Sequence, residues 1–160
     1  MISLEFLENV QVFEDLNDDQ LTRIQKHCRE ARFSRGDKIF SAGEKPQYLW
    51  VVMEGQVSLQ WSPPGRAALP ESTISRLSES MTFGWSSLVP PYSYRLSAYC
   101  ATRTCRVMQV DRDALIQLFE NDAELGYKVM LKLLSVVGSR FLNLQDEVAK
   151  QRGSDIINQW

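Results

Sequence analysis

Between Arg29 and Val110 the apolar residues recur with a period of two, and residues that turn the chain interrupt them at short intervals. This combination constrains the fold more than any other feature of the chain, because period-two alternation in short runs belongs to strands with one buried face. Gly36, Gly43 and Gly55 punctuate the region. Ile39-Phe40 precedes Gly43-Glu44, Tyr48 to Met53 runs into Glu54-Gly55, and Val57, Leu59 and Trp61 alternate with Gln56, Ser58 and Gln60. The segment from Ser62 to Pro70 carries Pro63, Pro64, Gly65 and Pro70, which predicts a surface loop. Strand character returns over 72–77, 95–101 and 104–110. The region reads as many short antiparallel strands joined by tight turns.

Helical patterns flank the strands. Phe6, Leu7, Val10 and Phe13 give the first 28 residues a helical reading, and Asn17 with Gln20 forms a capping box whose apolar staple is Leu16 with Leu21. A short helix from about Asp18 to His27 follows. After the strands, Asp111 caps a helix through Phe119, and Asn121 with Glu124 opens a much longer one. Within it Met130, Leu134, Val137, Phe141, Leu144 and Val148 repeat at alternating spacings of four and three, the pattern of a coiled-coil seam. Val129, Leu133 and Val136 supply a second apolar face that can pack on the chain's own sheet. The seam is therefore left to pair with another helix, which predicts a homodimer.

Length and composition limit the function. A chain of 160 residues that is 44% hydrophobic fills one core, so a single domain over 1–160 is expected: N-terminal helices over 1–28, strands over 29–110, C-terminal helices over 111–151 and a tail over 152–160. A formal charge of -2 provides no basic field for nucleic acid or an anionic membrane, and no apolar run reaches membrane-span length. Cys28, Cys100 and Cys105 are odd in number and lack C-x-x-C spacing, as in reduced thiols of a cytoplasmic protein. Cys100 and Cys105, on adjacent strands, read as small buried hydrophobes. His27 is the single imidazole and lies outside the strands, so most metal sites and Ser-His-Asp chemistry are disfavoured, a four-cysteine iron–sulfur cluster has no ligand set, nothing flags haem through His27 or a cysteine, and a cupin-like oxidoreductase lacks its strand histidines. Neither an enzyme nor a resident cofactor is expected.

One turn stands out. Phe83-Gly84-Trp85-Ser86-Ser87-Leu88-Val89-Pro90-Pro91 follows a strand, and Arg95 opens another. A glycine lets the backbone approach a ligand closely, a short helix from Trp85 to Val89 directs free N–H groups outward, and an arginine opposite adds a bidentate charge. Such a turn can hold a phosphate. By itself a glycine with a distant arginine is also what an ordinary surface turn looks like.

The wider pattern is more specific. Phe33 to Glu44, Tyr48 to Val57, Phe83-Gly84, Arg95 and Ala101 with Cys105 together resemble the cyclic-nucleotide-binding domain family, over about residues 6 to 150. The resemblance implies a mainly β fold, an antiparallel jelly-roll-like β-roll with N-terminal helices and a long C-terminal helix, and a phosphate-binding cassette over 83–97. It implies that Gly84 to Val89 cradles the cyclic phosphate, that Arg95 pairs with it, and that Ser86, Leu96 and Ser97 line phosphate and ribose. The expected ligand is cAMP or cGMP. It further implies that the long helix caps the pocket and forms a dimer axis.

Two departures qualify the resemblance. Trp85 occupies the position after the cassette glycine where the family usually has a glutamate that accepts from the ribose hydroxyl, and losing such a bond costs roughly 1.5–3 kcal/mol. Trp85 can instead stack on a base or fill the pocket. Only Arg152 to Trp160 follow Gln151, too few residues for the helix-turn-helix unit of the family's bacterial regulators, so no nucleic-acid partner is expected. The competing reading is a β-roll that has lost its ligand and serves as an interaction scaffold, with Ile156-Ile157 and Trp160 as a docking segment or a frayed tail.

Overall fold

The computed structural model describes residues 1–61 and 73–159. Two four-stranded antiparallel sheets face each other as a β-roll with helices at both ends. The strands are β1 (Cys28–Ser34), β2 (Lys38–Phe40), β3 (Tyr48–Glu54), β4 (Val57–Gln60), β5 (Thr73–Leu77), β6 (Thr82–Phe83), β7 (Ser97–Cys100) and β8 (Thr104–Asp111). One sheet has the order β1-β8-β3-β6 and the other β2-β7-β4-β5. The loop expected over 62–70 lies outside the described residues.

Two apolar clusters hold this arrangement. Phe40, Trp50, Val52, Phe83, Cys105 and Val107 fill the space between the sheets. Leu49, Val51, Met108 and Val110 project from the opposite face of β3 and β8 into a second cluster shared with the helices. Both faces of the two central strands are thus buried, which is why Tyr48 to Met53 reads as one apolar run rather than an alternation. Gly55 turns β3 into β4 at φ +84°, and a side chain there would stand 2.5 Å from the Thr104 carbonyl oxygen.

The helices partly follow the sequence reading. The first 28 residues are less helical than their apolar spacing suggests: α1 spans Leu4–Glu8, turns follow, and α2 spans Asp18–Gln25. The capping box of α2 forms, with Asn17 Oδ1 accepting from Gln20 N at 2.9 Å and Gln20 Oε1 accepting from Asn17 N at 3.1 Å. Asp111 caps α3 (Arg112–Asn121), accepting from Ala114 N. The cap of the long helix is corrected by one residue. Asn121 ends α3, and Asp122 accepts from Leu125 N at 3.0 Å to open α4 (Ala123–Asn158). Residues 152–158 continue that helix rather than forming a separate tail.

The faces of α4 divide much as the spacings predict. Leu125, Val129 and Leu133 are buried in the helix-side core, whereas Met130, Leu134, Phe141, Leu144 and Val148 are exposed. Val137 departs from the expected seam, since it packs half-buried against the chain's own core. Cys100 and Cys105 are buried as expected but sit in opposite sheets, on β7 and β8. No helix among the described residues is long and apolar enough to cross a membrane.

Candidate functional site

The cassette begins where β6 ends. Gly84 takes up φ +69°, a left-handed conformation, and a Cβ at this position would lie 2.8 Å from Trp50 Cδ1 and 3.2 Å from Tyr94 Cε1. Glycine is required here on both counts. One 3₁₀ turn, Trp85–Ser87, follows, with Ser87 N donating to Gly84 O and Leu88 N to Trp85 O, both at 3.0 Å. The helix expected over Trp85 to Val89 is thus shorter, a single turn. The first N–H groups of such a turn have no acceptor within it.

Beneath Gly84 lies an aromatic floor. Phe40 stacks on Tyr94 at 3.8 Å between ring centroids, and Trp50 stacks on Phe83 at 6.0 Å. Trp50 Nε1 donates to the Tyr94 hydroxyl at 3.0 Å, which donates in turn to Tyr48 O at 2.9 Å. Burial pushes the Tyr94 phenol above its ordinary pKa, so the hydroxyl keeps its proton. Two arginines reach this region from the helices, one to the cassette and one to the strand before it. Arg112, at the start of α3, donates from Nε to Ser87 O at 2.6 Å and lies over the Tyr92 ring at 4.6 Å, and Arg140 of α4 donates to the carbonyl of Thr82.

The structure brings most of the expected site residues together. Gly84, Trp85, Ser86, Arg95 and Leu96 line one cleft with Tyr94, and its volume is about 50 Å³. Arg95 is exposed and forms no ion pair among the described residues. Its guanidinium is therefore available to an anion. Ser97 does not join the cleft: it is buried, and its Oγ accepts from Ala42 N at 2.9 Å, tying the turn after β2 to β7. Leu59, Trp85 and Leu96 also line a second cleft of about 290 Å³, together with Arg140, Asn143 and Glu147 of α4. The seam residue Leu144 also faces this space.

Sequence reasoning missed Tyr94, Arg112 and Arg140. Tyr94 sits beside a singled-out arginine, but its role depends on a partner 44 positions away. Arg140 carries a readable signal in retrospect, a cation within the apolar face that Leu133 and Val136 begin. Among the described residues no group of three His, Cys, Asp or Glu is placed to hold a metal ion.

A two-sheet β-roll with a left-handed glycine and an exposed arginine on one cleft, and a long helix along the neighbouring one, defines the architecture. Its family follows from comparison with known proteins. The cyclic nucleotide-binding domain profile matches residues 30–122, and the chain belongs to that family. A Geobacter metallireducens structure described as a cyclic nucleotide-binding protein superposes with a TM-score of 0.76 at 32% identity, covering 88% of this chain and 99% of that one. The CRP-like cAMP-activated global transcriptional regulator of Mycobacterium tuberculosis is 25% identical over 153 residues, 95% of this chain and 64% of the regulator. The chain thus spans less than two thirds of that relative's length. The catabolite activator protein of Thermus thermophilus shares the fold, with a TM-score of 0.70 at 19% identity over 89% of this chain and 63% of that one.

Proposed function

We propose that the chain is a sensor of a cyclic nucleotide or closely similar phosphate ligand, acting through dimerisation along α4 and a partner protein rather than through catalysis. The observation that carries this reading is the pairing of left-handed Gly84 and the turn after it with an exposed Arg95 on the same cleft. A cyclic phosphate matches the turn N–H groups and a bidentate guanidinium. Arg112 ties the cassette to α3, and Arg140 ties β6, the strand that leads into it, to α4, so a ligand that shifts the cassette shifts the population of helix packings. Exposed Met130, Leu134, Phe141 and Val148 supply the apolar stripe for a second copy. Isothermal titration with cAMP and cGMP, beside Arg95→Leu, tests the reading: saturable binding lost in the variant supports it, and undiminished binding in the variant removes Arg95 from the site.

One observation favours a second reading, a ligand-free interaction scaffold. The cassette cleft of about 50 Å³ is small beside the roughly 300–1,000 Å³ of small-molecule pockets, and Trp85 packs half-buried against the helix-side core. Failure of either nucleotide to bind at millimolar concentration selects it.

A further inference from the structure

The aromatic floor beneath Gly84 has a second side. Phe40 and Tyr94, which line the cassette cleft, also line a separate cavity of about 460 Å³ bounded by β1, β2, β3, β8 and the loop between β2 and β3. The two spaces share no other lining residue. Phe33, Tyr48 and Trp50 complete the aromatic wall, while Glu44, Lys45, Gln47 and Gln109 bring the polar groups. Gly43 N donates to Tyr94 O at 2.7 Å and Tyr94 N to Glu44 O at 3.1 Å, which pins the loop in place. Trp50 stands opposite Gln109 in the register of β3 with β8. Alternation along β8 turns Gln109 to the side of Cys105 and Val107, yet its half-buried amide has no hydrogen bond among the described residues. Glu44 and Lys45, both exposed at the rim, form no ion pair among those residues.

Shape and field together select a chemistry for the occupant. Tyr48 meets Trp50 at 74° and Phe40 meets Trp50 at 40°, so these rings form a corner rather than a slot between parallel faces. A slot suits a flat ligand and a corner suits a rounded one. Ring faces carry the negative part of the aromatic quadrupole, which attracts cations. Glu44 adds a full negative charge that is felt inside: burial raises the Tyr94 phenol most, and the Glu44 charge raises it further. A primary ammonium would need acceptors for three N–H donors, whereas a methylated ammonium needs none and is held by ring faces. Lys45, next to Glu44 on the same rim, supplies the opposite sign. We propose that this cavity binds a small zwitterion of the betaine class, with its methylated ammonium against Tyr48 and Trp50 beside Glu44 and its carboxylate toward Lys45. The site is distinct from the cassette cleft and does not depend on what that cleft takes.

The test is isothermal titration of the full chain with trimethylglycine, with choline, which lacks the carboxylate, and with 3,3-dimethylbutanoate, in which carbon replaces the charged nitrogen. Trimethylglycine should bind about tenfold or more tightly than the uncharged-carbon analogue and about threefold more tightly than choline. Glu44→Gln should weaken trimethylglycine and choline alike, whereas Lys45→Gln should weaken trimethylglycine and spare choline. Both residues are exposed, so these variants should fold, as followed by circular dichroism. Tyr48→Leu should abolish the preference for the charged nitrogen, and Arg95→Leu, in the cassette cleft, should change nothing. A carbon analogue that binds as well as trimethylglycine, choline that binds as well in the wild type, affinity unchanged in a folded Glu44→Gln, or no saturable binding at millimolar concentration each overturns the assignment, and the sensor reading stands apart from all four.

Discussion

Gly84 and Tyr94 do different work within a few ångströms of each other. At Gly84 any side chain would have to adopt φ +69° and push into the Trp50 and Tyr94 rings. Gly84→Ala should therefore cost about 1–3 kcal/mol of unfolding free energy, measured by urea denaturation, with no compensating gain from a stiffer unfolded chain. Tyr94→Phe removes the hydroxyl that joins Trp50 Nε1 to the Tyr48 carbonyl and leaves a buried N–H unpaired. A loss of about 1–3 kcal/mol is expected, together with a shift in Trp50 fluorescence. The thiols offer a third check. Burial pushes Cys28 and Cys100 up to about 12, so neither should react with a maleimide at pH 7 until the chain unfolds. The glycine was readable in sequence from its place between a strand and a turn. The tyrosine was not, because its partners Tyr48 and Trp50 lie on β3, across the roll.

At the scale of elements, the pairing of β1 with β8 carries an electrostatic knot. Arg32 stands directly opposite Arg106, an unfavourable pairing, and Glu30 accepts from both at 2.8 Å while Glu54 accepts from Arg106 at 3.2 Å. The hydrogen bond from Arg106, then that from Arg32, lowers the Glu30 carboxyl from 4.5 to about 2. The unfolded state takes up this proton first, so the contribution is present above about pH 4.5 and is lost as pH falls toward 2. Glu30→Gln should lower stability at pH 7 by about 1 kcal/mol and flatten the acid limb of the melting curve, as followed by circular dichroism. Helix α4 gives the second prediction at this scale. Leu134→Glu and Phe141→Glu change residues that are 68% and 59% exposed in the single chain, so each should leave the fold of the chain, followed by circular dichroism at 25 °C, intact. Each should also shift a dimer to a monomer in light scattering, and a dimer that persists in both would move the interface elsewhere. The seam was legible because three- and four-residue spacing survives in any helix. Val137 was misassigned because spacing cannot tell which edge of the stripe the chain's own core will cover.

For the molecule as a whole, the sequence by itself determined that this chain forms short strands between helices, the family resemblance added that they close into a roll, and Gly84 and Arg95, singled out from the sequence, line the same cleft. These are local matters: period-two alternation, capping residues and glycines act within a few positions, and the family pattern is a series of such local signals. Boundaries that depend on a single hydrogen bond, such as Asp122 rather than Asn121 opening α4, lay beyond that reach. The tertiary structure decided what happens between segments distant in the chain. It placed Ser97 against Ala42 instead of in the cleft, set Cys100 and Cys105 in opposite sheets, and buried β3 on both faces. Above all it carried Arg140 on a helix of 36 residues back to Thr82, 58 positions earlier, beside the Trp85 that departs from its family. A guanidinium half-buried against a carbonyl is specified by packing, and packing follows from contacts that no local pattern in the chain encodes.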